Sequence, residues 1–437
     1  MHRRSPGKTR RLFVYWLFYL LFAACFVLSA SEQLEARDYF DIYNPSLKKL
    51  RLYVETTDQS EKNRLFSSHL KKMLEASLLF DLSSKKSEAD FSITLRNPLQ
   101  HKDFYISVRG ENYDNYKTTF FGIIFKNQNE KYLIRRAAQL SNRLTEELFN
   151  LKGSIGSTVT WSVDIDSRKS IYQKKYSIPD TQERVTYNFF TNYKASWNRN
   201  QNHVIYTSHT GKGSIVSLQK LKPLLLKTYN IFDDTGRISH PIWASDNTVF
   251  ATMYISKRNS DVFQFEIQGD IKQPETIRLK QLRRITSSPS VETEAVPSPD
   301  AKYLAYVSDQ TGQPQIYLKN LTTQKTRRLS KYGSYNVTPA WSPDGKYLAY
   351  RSIRKGQSGI YRIRLKDNKE TKVTSDDIQA ESPSWSPDSS LIAFAGRKTK
   401  SGPFKIYISL ASGGRSLRLT NADSQANETE PVWGPPM

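Results

Sequence analysis

From about residue 158 to the end of the chain, apolar positions fall in short alternating runs separated by polar turns, the period-two pattern of half-buried strands. Trp341-Ser342-Pro343-Asp344-Gly345-Lys346-Tyr347-Leu348-Ala349-Tyr350 reads most clearly, as strand, tight turn and strand. Pro343 presets φ for a type I turn, Asp344 can cap that turn through its carboxylate, and Gly345 takes the left-handed position that closes it. The unit recurs as Pro297-Ser298-Pro299-Asp300-Ala301 before Tyr303, and as Trp385-Ser386-Pro387-Asp388-Ser389 before Leu391, 44 residues apart each time. Weaker copies begin at Trp197 and Trp243, and a truncated one, Pro431-Val432-Trp433-Gly434, closes the chain. Two further strands are legible between hairpins, at residues 359–365 and 370–374 in one copy and 315–319 and 325–329 in another. Four short strands on a period in the forties predict a β-propeller.

The copies also predict how the ring closes. Five complete hairpins start near 197, 243, 297, 341 and 385, and the last copy supplies only a first strand. Its missing partner is Val159-Thr160-Trp161-Ser162-Val163, a second strand without a first. Six blades follow, with the C-terminal strand completing the blade begun near 158. Loss of residues 431–437 should then expose a blade edge and destabilise the ring.

Residues 38–150 have a different grammar. Strands are expected at 50–54, 91–95, 104–108 and 119–124. One helix, N-capped by Asp58 or Ser60, carries the stripe Leu65, Phe66, Leu70, Met73, Leu74 and Leu78, with Leu78-Leu79-Phe80 closing it; a second spans 131–150 with Leu133, Ala137, Leu140, Leu144 and Leu148 on one face. Helices against a small sheet make an α/β domain, and Gly153 and Gly156 mark the hinge after it. The fold expected is therefore mainly β, a six-bladed propeller (residues 153–437) preceded by a small α/β domain (31–152). Residues 1–30 hold five Lys or Arg and then an uncharged apolar run from 12 to 30, an export signal or N-terminal anchor, with Cys25 a lesser candidate for lipidation.

Charge and chemistry narrow the function. The 437-residue chain carries +23 and one cysteine, which excludes an internal disulfide and raises acidic partners. The basic residues are spread along outer strands without an aromatic reading motif, so nucleic acid is not expected. No Gly-x-Ser-x-Gly elbow, no His/Cys metal spacing and no Gly-rich phosphate loop is present, and Asp300, Asp344 and Asp388 share one repeat position, as turn caps rather than an acid–base pair. No catalytic residue, cofactor or metal is expected. One position, three residues before each repeat Trp or its equivalent, recurs as Lys194, His240, Glu294, Thr338, Ser382 and Glu430 in loops leading into the innermost strands, and repeat geometry sets these six around one mouth of the channel.

The hairpins at Trp341 and Trp385, with their Ser-Pro-Asp turns of the kind shared with WD40-like repeats, the terminal Pro431-Val432-Trp433-Gly434-Pro435 and the order of the two domains resemble the TolB family of the Tol-Pal system. That resemblance implies a monomeric, non-enzymatic periplasmic adaptor for envelope integrity and cell division, peripherally associated with the envelope. It implies a Pal-like peptidoglycan-associated lipoprotein docked on one propeller face, with Arg237 and His240, and Thr293 and Glu294, among the contacts. It also implies a TolA-like inner-membrane protein bound through Tyr39, Phe40 and Ile42, a stretch that otherwise reads as an edge strand. The alternative is an exported propeller that binds glycan or another polyanion, suggested by charge alone.

Overall fold

A computed structural model of the chain describes residues 49–57, 60–96, 103–111, 119–124, 129–200, 202–221, 224–232, 237–420 and 425–434. The export segment and the Tyr39, Phe40 and Ile42 stretch lie outside the described residues.

The N-terminal domain is a five-stranded sheet, ordered β2-β1-β3-β4-β5, with two helices. Strands β1 (Leu50–Thr56), β2 (Phe80–Leu82) and β3 (Phe91–Arg96) run parallel; β4 (Asp103–Gly110) and β5 (Thr119–Ile124) continue the sheet antiparallel, with β5 at its edge. Helix α1 (Glu61–Ala76) follows Ser60 as N-cap, and α2 (Glu130–Phe149) is capped by Asn129, whose Oδ1 accepts from Tyr132 N at 2.9 Å. The stripe expected on α2 is the buried one. Leu78-Leu79-Phe80 does not close α1. The helix stops at Ala76, Leu78 turns left-handed at φ 62°, and Phe80 opens β2, because burying all three apolar side chains needs an extended run into the sheet.

The junction is fastened. Asn142 on α2 donates through Nδ2 to Ile155 O at 2.9 Å and accepts from Ile155 N at 3.0 Å. Gly153, at φ +74°, passes so close to Asn142 that a Cβ there would clash with its Oδ1. One apolar cluster runs from the α/β domain through Ile155 and Tyr176 into the first and last blades, where it takes in Trp161, Ile408 and Trp433. The Tyr176 hydroxyl donates to Ala76 O at the end of α1.

The remaining strands form six four-stranded antiparallel sheets, the six blades. Their innermost strands are Asn427–Trp433 (blade one), Thr191–Trp197 (two), Ile238–Ser245 (three), Glu292–Pro297 (four), Tyr335–Trp341 (five) and Gln379–Trp385 (six). In blade one the C-terminal strand pairs with Thr158–Ile165, in the register Asn427↔Asp164 to Trp433↔Val159, so the ring closes as its repeats imply. The Ser-Pro-Asp turns work as their chemistry suggests. Ser298, Ser342 and Ser386 each donate from Oγ to the Asp two residues on, and the same Oγ accepts the N–H of Tyr303, Tyr347 or Leu391 at 2.9 Å. Asp300, Asp344 and Asp388 are thereby committed to their own turns.

Repeat tryptophans stitch blade to blade. Trp341 Nε1 donates to Val296 O at 3.0 Å, Trp385 Nε1 to Ala340 O at 2.9 Å, and Trp197 Nε1 to Thr160 Oγ1 at 3.3 Å, each on the preceding blade. That reach explains why Trp recurs at this position: it supplies both apolar area and a donor long enough to cross the gap.

Candidate functional site

Each innermost strand contains one non-glycine residue in the left-handed region: Lys194, His240, Glu294, Thr338, Ser382 and Glu430, all between φ 51° and 55°. At each, the ladder slips by one residue, as between Thr293↔Val307 and Val296↔Ala305, so that two residues face one across a β-bulge. The residue after it is Ala195, Pro241, Ala295, Pro339, Pro383 or Pro431. A proline is tolerated there because a bulged position owes no N–H to the ladder. The six therefore stand inside the strands, correcting the loop placement expected from the sequence, since the ladder resumes beyond the bulge. Backbone strain of this kind costs of order 1–3 kcal/mol per residue. Its sixfold recurrence marks it as part of the architecture.

The ring lines a channel cavity of about 490 Å³ whose walls include Trp197, Trp243, Trp341, Trp385 and Trp433. Glu294 is its electrostatic centre: Oε1 accepts from Lys194 Nζ at 3.1 Å and lies 3.8 Å from His240 Nε2, while Oε2 accepts from Thr338 N at 2.7 Å. Lys194 belongs to blade two and Glu294 to blade four, so the pair spans blade three. Glu430 Oε2 repeats the arrangement, accepting from Lys194 N at 3.3 Å and Ser162 Oγ at 3.0 Å. The bulged N–H of His240 goes to Thr207 Oγ1 at 3.1 Å. Bulged backbone donors of blades two, three and five thus bond to the blade before.

Burial pulls the Lys194 pKa down, but Glu294 and Glu430 outweigh it and leave the ammonium held above its ordinary value. Burial raises Glu294, yet Lys194, His240 and the Thr338 N–H carry it below the ordinary carboxylate value. His240 is pushed down to about 4, by burial and then by Lys194, against the opposing pull of Glu294 and Glu430. At neutral pH the cluster is an ion pair beside a neutral imidazole.

His240, Glu294, Thr338, Ser382 and Glu430 all line the channel. Thr293 stands beside the ring, its Oγ1 3.2 Å from Thr252 Oγ1, and Arg237 is exposed in the connector leading into blade three. Neither lines the cavity. Arg237 and Thr293 do lie toward one end of the ring, where each outer strand crosses to the next blade and where the second strand turns into the third.

That end holds what the sequence reading missed. Of eleven exposed large hydrophobic residues among the described residues, seven sit there: Ile165, Tyr187, Phe189, Phe190, Tyr254, Ile255 and Tyr332. Phe189 is 84 % exposed. The signal was available in Tyr187-Asn188-Phe189-Phe190, aromatic residues in a connector that no strand of the blade pattern requires.

Residues 275–437 match the family model described as the TolB beta propeller domain, over the blades that keep the Ser-Pro-Asp turn. Among solved structures, TolB from Acinetobacter baumannii is similar over 89 % of this chain and 97 % of its own, with a TM-score of 0.71 and 16 % identity. A putative TolB from Agrobacterium tumefaciens is similar over 64 % of this chain and 99 % of its own, at 15 % identity and TM-score 0.46. Hydrazine synthase from Kuenenia stuttgartiensis is similar over 63 % of this chain and 46 % of its own, at 10 % identity and TM-score 0.50, so the propeller fold alone does not decide function. Residues 275–437 thus carry a TolB beta propeller domain match, and the chain as a whole has the fold seen in the A. baumannii protein, a small α/β domain followed by a six-bladed propeller.

Proposed function

We propose that this chain is a non-enzymatic periplasmic adaptor of the Tol-Pal envelope system, docking a Pal-like peptidoglycan-associated lipoprotein on the connector end of its propeller. A TolA-like protein binds through the N-terminal region that includes Tyr39, Phe40 and Ile42. The observation that carries this reading is the concentration of exposed aromatic residues, Phe189 foremost, at the connector end, the same end of the ring as Arg237 and Thr293. Exposed apolar patches on a folded surface mark contact sites, and aromatic residues with Arg are the usual anchors of such contacts. The carboxylates of the rim do not compete with that role as catalysts, because Glu294 and Glu430 are engaged in holding neighbouring blades.

Titration calorimetry of the full chain with the soluble domain of a Pal lipoprotein from the same cells tests this. Phe189→Ser together with Phe190→Ser should weaken binding about tenfold or more, with an unchanged unfolding midpoint. No binding by the unaltered chain, or equal binding by the variant, would overturn the reading. A polyanion-binding propeller is the second reading, favoured by the outer strand Arg278–Arg284, exposed at Arg278, Lys280, Arg283 and Arg284. It requires retention on an anionic polymer that is lost steeply as salt rises.

A further inference from the structure

A second cavity, of about 360 Å³, lies between α1 and the propeller, away from the channel and the connector end. Its apolar lining includes Met73 on α1 and Ile408 and Leu417 on blade six, and Met73 and Ile408 are each 1 % exposed. Lys72, Lys174 and Arg418, from three separate elements, also line it, and no carboxylate does. Glu130 reaches His69, 3.4 Å from its Nε2, but is not part of the lining. Lys72 and Lys174 form no salt bridge among the described residues, and Lys174 is half-buried.

We propose that this cavity binds a single-chain amphiphile with an anionic head group, its alkyl chain against Met73, Ile408 and Leu417 and its head group at Lys72, Lys174 and Arg418. Lys72 and Lys174, brought to one rim without a salt bridge of their own among the described residues, repel one another, and an anion placed between them removes that cost while forming charge-assisted hydrogen bonds. The apolar wall behind the cations gives the tail a dry surface, and the volume falls in the range of about 300–1,000 Å³ typical of small-ligand sites. A neutral head group would gain no charge-assisted bond from Lys72 and Lys174, and a cationic one would add to the repulsion. Because the walls come from both domains, the ligand joins them, which is independent of docking at the connector end.

The test is calorimetric titration of the full chain with dodecanoate and with dodecyl phosphate, both below micelle formation, against dodecyltrimethylammonium and dodecyl maltoside. The two anions should bind saturably at one site, and the cationic and neutral amphiphiles about tenfold or more weakly. Preference for dodecanoate assigns a fatty-acid source, and preference for the phosphate a phospholipid one. Lys72→Glu with Arg418→Glu, both at exposed positions, should weaken anion binding about tenfold without lowering the unfolding midpoint. Leu417→Trp, which fills the half-buried wall, should weaken it without changing charge. Equal binding of the cationic amphiphile, no binding of either anion, or affinity untouched by charge reversal would each overturn the proposal. So would a peptide of residues 31–48, acidic at Glu32, Glu35, Asp38 and Asp41, that displaces dodecanoate, since the site would then belong to the chain itself.

Discussion

Replacing Trp433 by alanine attacks the seam on which the ring depends. Trp433 is 6 % exposed, meets Tyr176 edge-on at 5.2 Å between centroids, and donates from Nε1 to Ser157 Oγ at 2.6 Å. Truncating a buried Trp costs about 3–5 kcal/mol, and the lost hydrogen bond adds about 1 kcal/mol. The total of about 4–6 kcal/mol is a large part of the 5–15 kcal/mol that holds a typical domain together. Because the same cluster extends into the α/β domain, both domains should lose stability in one transition. Trp243 is the internal control: it is half-buried, and its Nε1 has no partner among the described residues. Its truncation should cost roughly 2 kcal/mol. Urea unfolding followed by tryptophan fluorescence and by far-ultraviolet circular dichroism measures both variants. A Trp433→Ala cost no greater than that of Trp243→Ala would refute the claim that the C-terminal strand closes the ring.

Three further outcomes follow from the same structure. His240 titrates near 4 in the folded protein but near 6.5 when unfolded, so the unfolded state binds more protons between those values and stability falls as pH drops from about 6.5 to 4. His240→Asn, which keeps a residue suited to positive φ, should flatten that fall by up to about 1.4 kcal/mol per pH unit in urea titrations across this window. Lys405 and Glu428 form a 3.2 Å ion pair with both side chains nearly inaccessible, so Lys405→Met should cost about 3 kcal/mol and the double replacement by Met markedly less, as a double-mutant cycle would show. Ser342→Ala removes the Oγ that serves both Asp344 and Tyr347 N, and should lower stability by about 1–2 kcal/mol in the same unfolding assay.

The propeller was legible because its repeat is local: Ser342, Pro343, Asp344 and Gly345 specify their turn within four residues. The seam was legible because Val159-Thr160-Trp161 lacks a first strand and Trp433 lacks a second. Position along the repeat also brought His240, Glu294, Thr338, Ser382 and Glu430 to one ring. Their placement inside a bulge was not legible, because the slip shows only in the pairing with another strand, where Tyr206 and Tyr306 lie opposite it. Nor was the commitment of Glu294 to Lys194 and Thr338, which are far away in sequence and meet only once the ring has closed. Leu78 and Phe80 misled because an apolar run at a helix end reads the same whether it finishes a turn or enters a sheet.

The most direct test of the adaptor account is a hydrogen-exchange footprint of the full chain with and without the soluble Pal domain. The account predicts slowed exchange at residues 185–190, 253–256 and 329–334, at the connector end, with the Ser-Pro-Asp turns at 343–346 and 387–390 unchanged. Protection confined to those turns, or none under saturating partner, would contradict it.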